Sequence, residues 1–202
     1  MTVSKKEKFD HAIAHYSKLI ESNPKDYRAY NNRGNAHQQR GDYDLSIADY
    51  DNALELNPSF DLCYINRGNT YQKTGDYERA IADYDRAIEL NSENSMAYNN
   101  RGFVFMLMKR YSEAEKDIRK SIEFNPNNIY ALNSMAEFFA VQSNAPEACK
   151  WLKKAIDKGY NNWGYIKASA TYDNIRSAVC FKDIIAKATS KEESAKGKGH
   201  RA

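Results

Sequence analysis

Tyr30-Asn-Asn-Arg-Gly34, Tyr64-Ile-Asn-Arg-Gly68 and Tyr98-Asn-Asn-Arg-Gly102 are copies of one phrase, each 34 residues after the last. A second phrase keeps the same interval: Ser46-Ile-Ala-Asp-Tyr50 returns as Ala80-Ile-Ala-Asp-Tyr84. Pro24, Pro58 and Pro126 share one register, with Ser92 in the slot between them. A fixed period of this length means stacked modules, each burying its apolar face against the next, rather than one globular core.

Each period reads as two helices. In the repeat that starts at Asp61, helix A is expected over Asp61–Thr74 and helix B over Tyr77–Leu90. Gly75-Asp76 separates them, as Gly41-Asp42 does one period earlier. Glycine suits the left-handed residue after a helix, and aspartate suits the N-cap of the next one. Within helix B, Ala80, Ile81, Tyr84, Ala87 and Ile88 fall on one broad apolar face. Small residues form two columns: Gly34, Gly68, Gly102 and Ala136 in the A helices, and Ser46, Ala80, Ala114 and Ala148 in the B helices. Small side chains at facing positions let helices approach closely, while Tyr30, Tyr64 and Tyr98 fill wider gaps.

This large–small pattern, with Tyr50 and Tyr84 in helix B and the closing proline, resembles the tetratricopeptide repeat. The resemblance implies an all-α fold: a right-handed superhelical solenoid of antiparallel helix pairs, whose A helices line a concave side where partners dock. It covers residues 5 to 158. Residues 1–26 read as a partial repeat, helix B only, with Ala12 and Tyr16 in the expected columns, so the array is expected to begin mid-repeat. Four repeats follow at 27–60, 61–94, 95–128 and 129–158. The last is degenerate, with Ala136 for glycine, Leu152 for tyrosine and Lys158-Gly159 where Asn-Pro stood. Residues 159–188 are read as a different element, a helical cap with helical spacing from Asn174 to Ala188. Residues 189–202, rich in Lys, Ser and Gly, are expected to be disordered.

Composition narrows the class. The chain has 202 residues, is 42% hydrophobic and 28% charged, and carries a net charge of +3, too mild to imply nucleic acid. The basic tail (Lys191, Lys196, Lys198 and Arg201 against Glu192 and Glu193) is read as a solubilising end. Cys63, Cys149 and Cys180 are scattered and form no metal-ligand spacing, so a reducing compartment is expected and a disulfide framework is not. No signal peptide and no membrane-spanning run is visible, and a cytoplasmic location is expected.

Three columns are candidates for function. Asn32, Asn66 and Asn100 stand in register on successive A helices, with Asn35 and Asn69 three residues on. Amides offer donors and acceptors together, which suits the backbone of an extended peptide. The column resembles the asparagine array that holds peptides in the repeat domain of O-GlcNAc transferase. Solvation of a helix surface, or duplication of one ancestral repeat, would also place asparagines here. Arg33, Arg67 and Arg101 each precede an aspartate by sixteen residues, Asp49, Asp83 and Asp117, and are expected to form structural ion pairs. Inward positions also change along the array: Arg28, Asn31 and Gln39, then Leu62, Ile65 and Lys73, then Met96, Asn99, Phe103, Met106 and Leu107. Either a partner's apolar side chain or the C-terminal segment is expected at that apolar end. The two-carboxylate clamp of chaperone-binding relatives is incomplete. Asn35 and Asn66 fit two of its slots, but Asn31, Met96 and Asn100 replace its three cations, so heat-shock chaperone tails are not expected as partners.

Chemistry is not signalled. His11 and His15 share a helix face without an acidic ligand and read as solvated surface; no metal site, cofactor or catalytic set is expected. The reading is a non-catalytic interaction module with a peptide or another protein in its groove. A chaperone for secretion or complex assembly, a scaffold associating through the incomplete first repeat, and an accessory subunit of a separate enzyme are the alternatives.

Overall fold

The computed structural model describes residues 5–187, which form helices and no strand. The helices are α1 (Lys5–Ser22), α2 (Tyr27–Arg40), α3 (Tyr43–Leu56), α4 (Asp61–Thr74), α5 (Tyr77–Leu90), α6 (Ser95–Leu107), α7 (Tyr111–Phe124), α8 (Ile129–Val141), α9 (Ala145–Asp157) and α10 (Trp163–Ala168). A 3₁₀ segment (Ala170–Ile175) follows, and a helix over residues 179–187, here α11, reaches the last described residue. From Tyr27 onward every A-helix and every B-helix start lies 34 residues after its predecessor, through Trp163 and residue 179. The segment read as a different element therefore keeps the period. Its expected helix from Asn174 begins instead at residue 179, because Arg176 holds the preceding turn by donating to Lys167 O at 2.7 Å and Ser169 O at 2.8 Å. The expected disorder of residues 189–202 lies outside the described residues.

Contacts divide the chain into two units, Met1–Val104 and Phe105–Ala202. In the first, α1 packs on α2, α2 on α3, α3 on α4 and α4 on α5. The spacing of each pair is set by glycine. A Cβ on Gly34 would stand 2.8 Å from Tyr50 Cε1, and one on Gly68 would stand 2.7 Å from Tyr84 Cε1. Both tyrosines are fully buried, and their hydroxyls donate to Asn35 Oδ1 at 2.7 Å and Asn69 Oδ1 at 2.8 Å. In the second unit α8 packs on α7, α9 and the 3₁₀ segment. Its core joins Leu132, Ala136, Leu152 and Ala155 to Ile166, Tyr172, Ile175, Phe181 and Ile184.

The turn within each repeat uses one left-handed residue, at Gly41, Gly75, Lys109 and Ser143 in register, with φ of 96°, 83°, 61° and 62°. Glycine takes this conformation freely; lysine and serine do not.

The expectation of no disulfide is corrected: Cys149 and Cys180 are bonded, with Cα atoms 6.1 Å apart, and Cys63 is free and buried. The separation of 31 residues is one repeat less about one helical turn, which sets the two cysteines beside each other on α9 and α11. Local spacing rules do not see such a pair.

Two stability outcomes follow. Gly68→Ala overpacks the Tyr84 contact and should destabilise the protein by about 1–3 kcal/mol. Lys109→Gly relieves the left-handed residue and should stabilise it by about 1 kcal/mol. Urea denaturation of both variants against the parent chain checks the signs.

Candidate functional site

In the first unit, α2, α4 and the part of α6 up to Val104 lie side by side and present a common face. Its rows follow helical register. Arg28, Leu62 and Met96 are exposed; Asn32, Asn66 and Asn100 are half-buried; Asn35, Asn69 and Phe103 are half-buried; Gln39 and Lys73 are exposed. Leu107, exposed, continues the same register in the second unit. On α6 the positions 96, 100, 103 and 107 fall on one helical stripe, whereas 99 and 106 lie about 60–80° round the helix. Asn99 and Met106 were expected on the face; they are 6% and 3% exposed, turned inward from that stripe, and this is a correction.

The amides tie neighbouring helices together. Asn66 Nδ2 donates to Asn31 Oδ1 at 3.0 Å, joining α4 to α2, and Asn31 Nδ2 donates to Asn32 Oδ1 at 3.3 Å. Asn100 Nδ2 donates to Asn69 Oδ1 at 2.8 Å, joining α6 to α4, and Asn99 Nδ2 donates to Asn100 Oδ1 at 3.3 Å. What is left over matters most. Nδ2 of Asn32, Asn35 and Asn69 and Oδ1 of Asn66 make no hydrogen bond among the described residues. Three amide NH2 groups and one carbonyl oxygen are thus fixed by the bonds their amides make yet unspent. At the end of the face, Lys73 Nζ sits 3.4 Å from Gln38 Oε1, and burial pulls its pKa below the ordinary lysine value.

The arginines lie elsewhere in each repeat. Arg33 forms a fork with Asp49 at 2.6 and 2.9 Å, and Arg67 does so with Asp83 at 2.7 and 2.9 Å. Each also reaches the preceding B helix: Arg67 Nη1 meets Asp51 at 2.5 Å, Arg101 Nη1 meets Asp85 at 2.5 Å, and Arg33 Nη1 meets Ser17 at 3.2 Å. Asp51 and Asp85 are absent from the sequence-based list, although they too stand sixteen residues from their arginines. Arg101 and Asp117 belong to different units; Asp117 is buried. Burial pushes the Asp83 carboxyl above its ordinary value, with Arg67 pulling it back in part.

Comparison with known families now decides the lineage. The tetratricopeptide repeat matches residues 27–60, 62–94 and 95–128, and a further TPR repeat description matches 5–39. The chain belongs to the tetratricopeptide repeat family. Among solved structures it is similar to TTC0263, a thermophilic TPR protein of Thermus thermophilus, at 16% identity and TM-score 0.69, covering 77% of this chain and 86% of that one. It is also similar to MamA, at 26% identity and TM-score 0.62, over 79% and 87% of the two chains. The first TPR of Spaghetti (RPAP3), bound to the HSP90 peptide SRMEEVD, matches at 27% identity and TM-score 0.53, over 55% and 89%. No curated protein matches. These likenesses support a protein-interaction module. Among the described residues there is no helix long and apolar enough to cross a membrane, and no cluster of three metal-ligating side chains.

The helices after residue 128 hold a polar site that sequence reading missed. Glu137 stands in the register of Asn35 and Asn69, yet it is 1% exposed. Its carboxyl accepts hydrogen bonds from Tyr165 and Thr171, both at 2.6 Å, and from Asn133 Nδ2 at 2.8 Å, while the Tyr172 hydroxyl donates to Asn133 Oδ1 at 2.8 Å. Desolvation pushes the carboxyl up to about 7, against the pull of these donors. The signal was legible: the one charged residue in a mostly apolar helix, Ile129–Val141.

Arg67→Ala should cost about 3 kcal/mol, the low end for a broken buried pair because 20% of that side chain is exposed. Arg67→Lys should recover little of it, since one ammonium cannot serve Asp83 and Asp51 as the guanidinium does. Chemical denaturation of the two variants checks the order.

Proposed function

We propose that this chain is a non-catalytic module that binds an extended segment of a partner polypeptide across α2, α4 and the first part of α6. The unspent amide groups carry the reading. Nδ2 of Asn32, Asn35 and Asn69 offers donors to backbone carbonyls, and Oδ1 of Asn66 offers an acceptor to a backbone N–H. Their geometry is set before binding by the ladder and by Tyr50 and Tyr84, so little ordering cost remains. Exposed Leu62 and Met96 lie beside the amides and suit an apolar side chain of the partner.

The RPAP3 domain binds an acidic peptide, and that likeness supports a peptide as ligand class. The residues here favour a different peptide. Asn31, Met96 and Asn100 occupy the cation slots of the carboxylate clamp, so a neutral, internal stretch fits better than a free acidic C-terminus. The outward face of α1 (Lys8, His11, His15 and Lys18, all exposed) is polar and suits solvent better than a second copy.

The test uses peptides selected from a random 15-residue library on the parent protein. Asn32→Ala combined with Asn66→Ala should weaken them about tenfold or more, from two lost hydrogen bonds at about 1 kcal/mol each, measured by calorimetry on chains shown by circular dichroism to be folded. Unchanged affinity in the double variant, or failure to select any peptide, defeats the proposal.

A further inference from the structure

The fifth period lacks half of its A helix. In a regular repeat the second half of helix A covers helix B: Arg67 forks Asp83, the Tyr84 ring meets Gly68, and the Tyr84 hydroxyl donates to Asn69. Ala80, Asp83 and Tyr84 are buried there. One period before the chain's end, the places of Arg67, Gly68 and Asn69 fall to Ser169, Ala170 and Thr171. These lie past the end of α10 at Ala168, in the 3₁₀ segment, which packs on α8 instead. On α11 the places of Ala80 and Tyr84 fall to Lys182 and Ala186, and both are exposed, while Phe181 and Ile184 turn inward. Positions that helix A covers in a regular repeat are therefore open. The face so left holds a recess of 390 Å³, walled by Lys167, Arg176, Phe181, Lys182, Ile185 and Ala186. Its walls are fixed. Arg176 donates to Lys167 O, Ser169 O and the Asp173 carboxylate at 2.7, 2.8 and 2.6 Å, and the Phe181 ring packs against Tyr172 at 5.3 Å between centroids.

We propose that this recess docks an acidic, amphipathic segment of a partner polypeptide, with a bulky apolar side chain seated on Phe181, Ile185 and Ala186 and carboxylates facing Lys167 and Lys182. Charge sets the sign of the ligand. Three cations and no acid wall the recess; Asp173 offsets Arg176, and Asp183 on α11 lines a separate pocket beside Trp163. Residues 145–187 as a whole carry eight Lys and Arg against four Asp and Glu, so the wider surroundings keep the same sign. Shape sets the class. Phe181 is buried and Ile185 half-buried, so the apolar atoms form a floor below exposed lysines. A lipid surface is met by apolar groups that protrude, whereas a floor below a charged rim receives a side chain. No exposed ring stands in the recess for a nucleobase to stack on. The chain's own last residues, 188–202, are no match: they have a surplus of two positive charges and no apolar side chain larger than alanine.

The experiment selects peptides from a random 15-residue library on the full-length chain, with counter-selection on Lys167→Glu combined with Lys182→Glu, and measures the enriched peptides by calorimetry. They should carry acids around a Leu, Phe or Trp. The charge-reversed double variant should bind them about tenfold or more weakly, since like charges then face each other. Ala186→Tyr, which fills the recess from an exposed position, should weaken them by about tenfold as well. Asn32→Ala combined with Asn66→Ala should leave them unchanged, which separates this site from the asparagine face; the two proposals stand or fall apart. No enrichment, enriched peptides without acids, full affinity for Ala186→Tyr, or loss in the asparagine variant overturns the proposal. Circular dichroism checks each variant, and if the charge-reversed chain does not fold, selection without it and Ala186→Tyr decide. Two further results would give the recess another occupant and overturn the proposal: a dimer of the parent chain in light scattering that Ala186→Tyr breaks, or sedimentation with phosphatidylglycerol vesicles that Ala186→Tyr abolishes.

Discussion

The close approach of a glycine to a buried tyrosine is the contact on which the first unit depends. At Gly34 against Tyr50 and Gly68 against Tyr84, no Cβ fits, so each A helix lies as near its B helix as backbone and ring allow. The same tyrosines then reach past the glycine to fix Asn35 and Asn69. One packing constraint thus passes directly into the orientation of the amides one residue further along the helix. A tyrosine with no glycine to meet would stand further off, and its hydroxyl would no longer find the asparagine.

The asparagines have a bonded side and an open side. Half of their hydrogen-bonding capacity links neighbouring A helices, through Asn31–Asn66 and Asn69–Asn100. The other half faces outward. The coexistence explains how a weak helix former is tolerated at three successive equivalent positions: each loses some propensity and regains it in a contact between repeats.

Architecture was legible in the chain because a 34-residue period is a statement about geometry made repeatedly. The turn glycines, the helix limits of the second full repeat and the fork of Arg67 with Asp83 all follow from residue type and interval. What escaped reading depends on contacts that the interval alone does not name. Asp51 sits sixteen residues before Arg67 as plainly as Asp83 sits after it, but only stacking shows that both are within reach. Cys149 and Cys180 lack any local pattern, since adjacent B helices bring them together. Asn99 and Met106 were misplaced by a fraction of a helical turn, which sequence spacing resolves poorly in a helix apolar on nearly every side. The fifth period was hidden because its side chains have drifted while its helix starts have not.

The double reach of the arginines has a consequence for how such a chain can change length. Arg67 takes one acid from its own repeat and one from the repeat before, and Arg101 takes Asp85 in the same way. Excising residues 61–94 would bring Asp51 to the place Asp85 now holds beside Arg101, and the bridge would close again with a different acid. Loss of any other number of residues would leave the guanidinium facing the wrong part of a helix. Such a gene can therefore grow or shrink by whole repeats at little cost, while a single inserted codon inside a helix is read at every junction downstream of it.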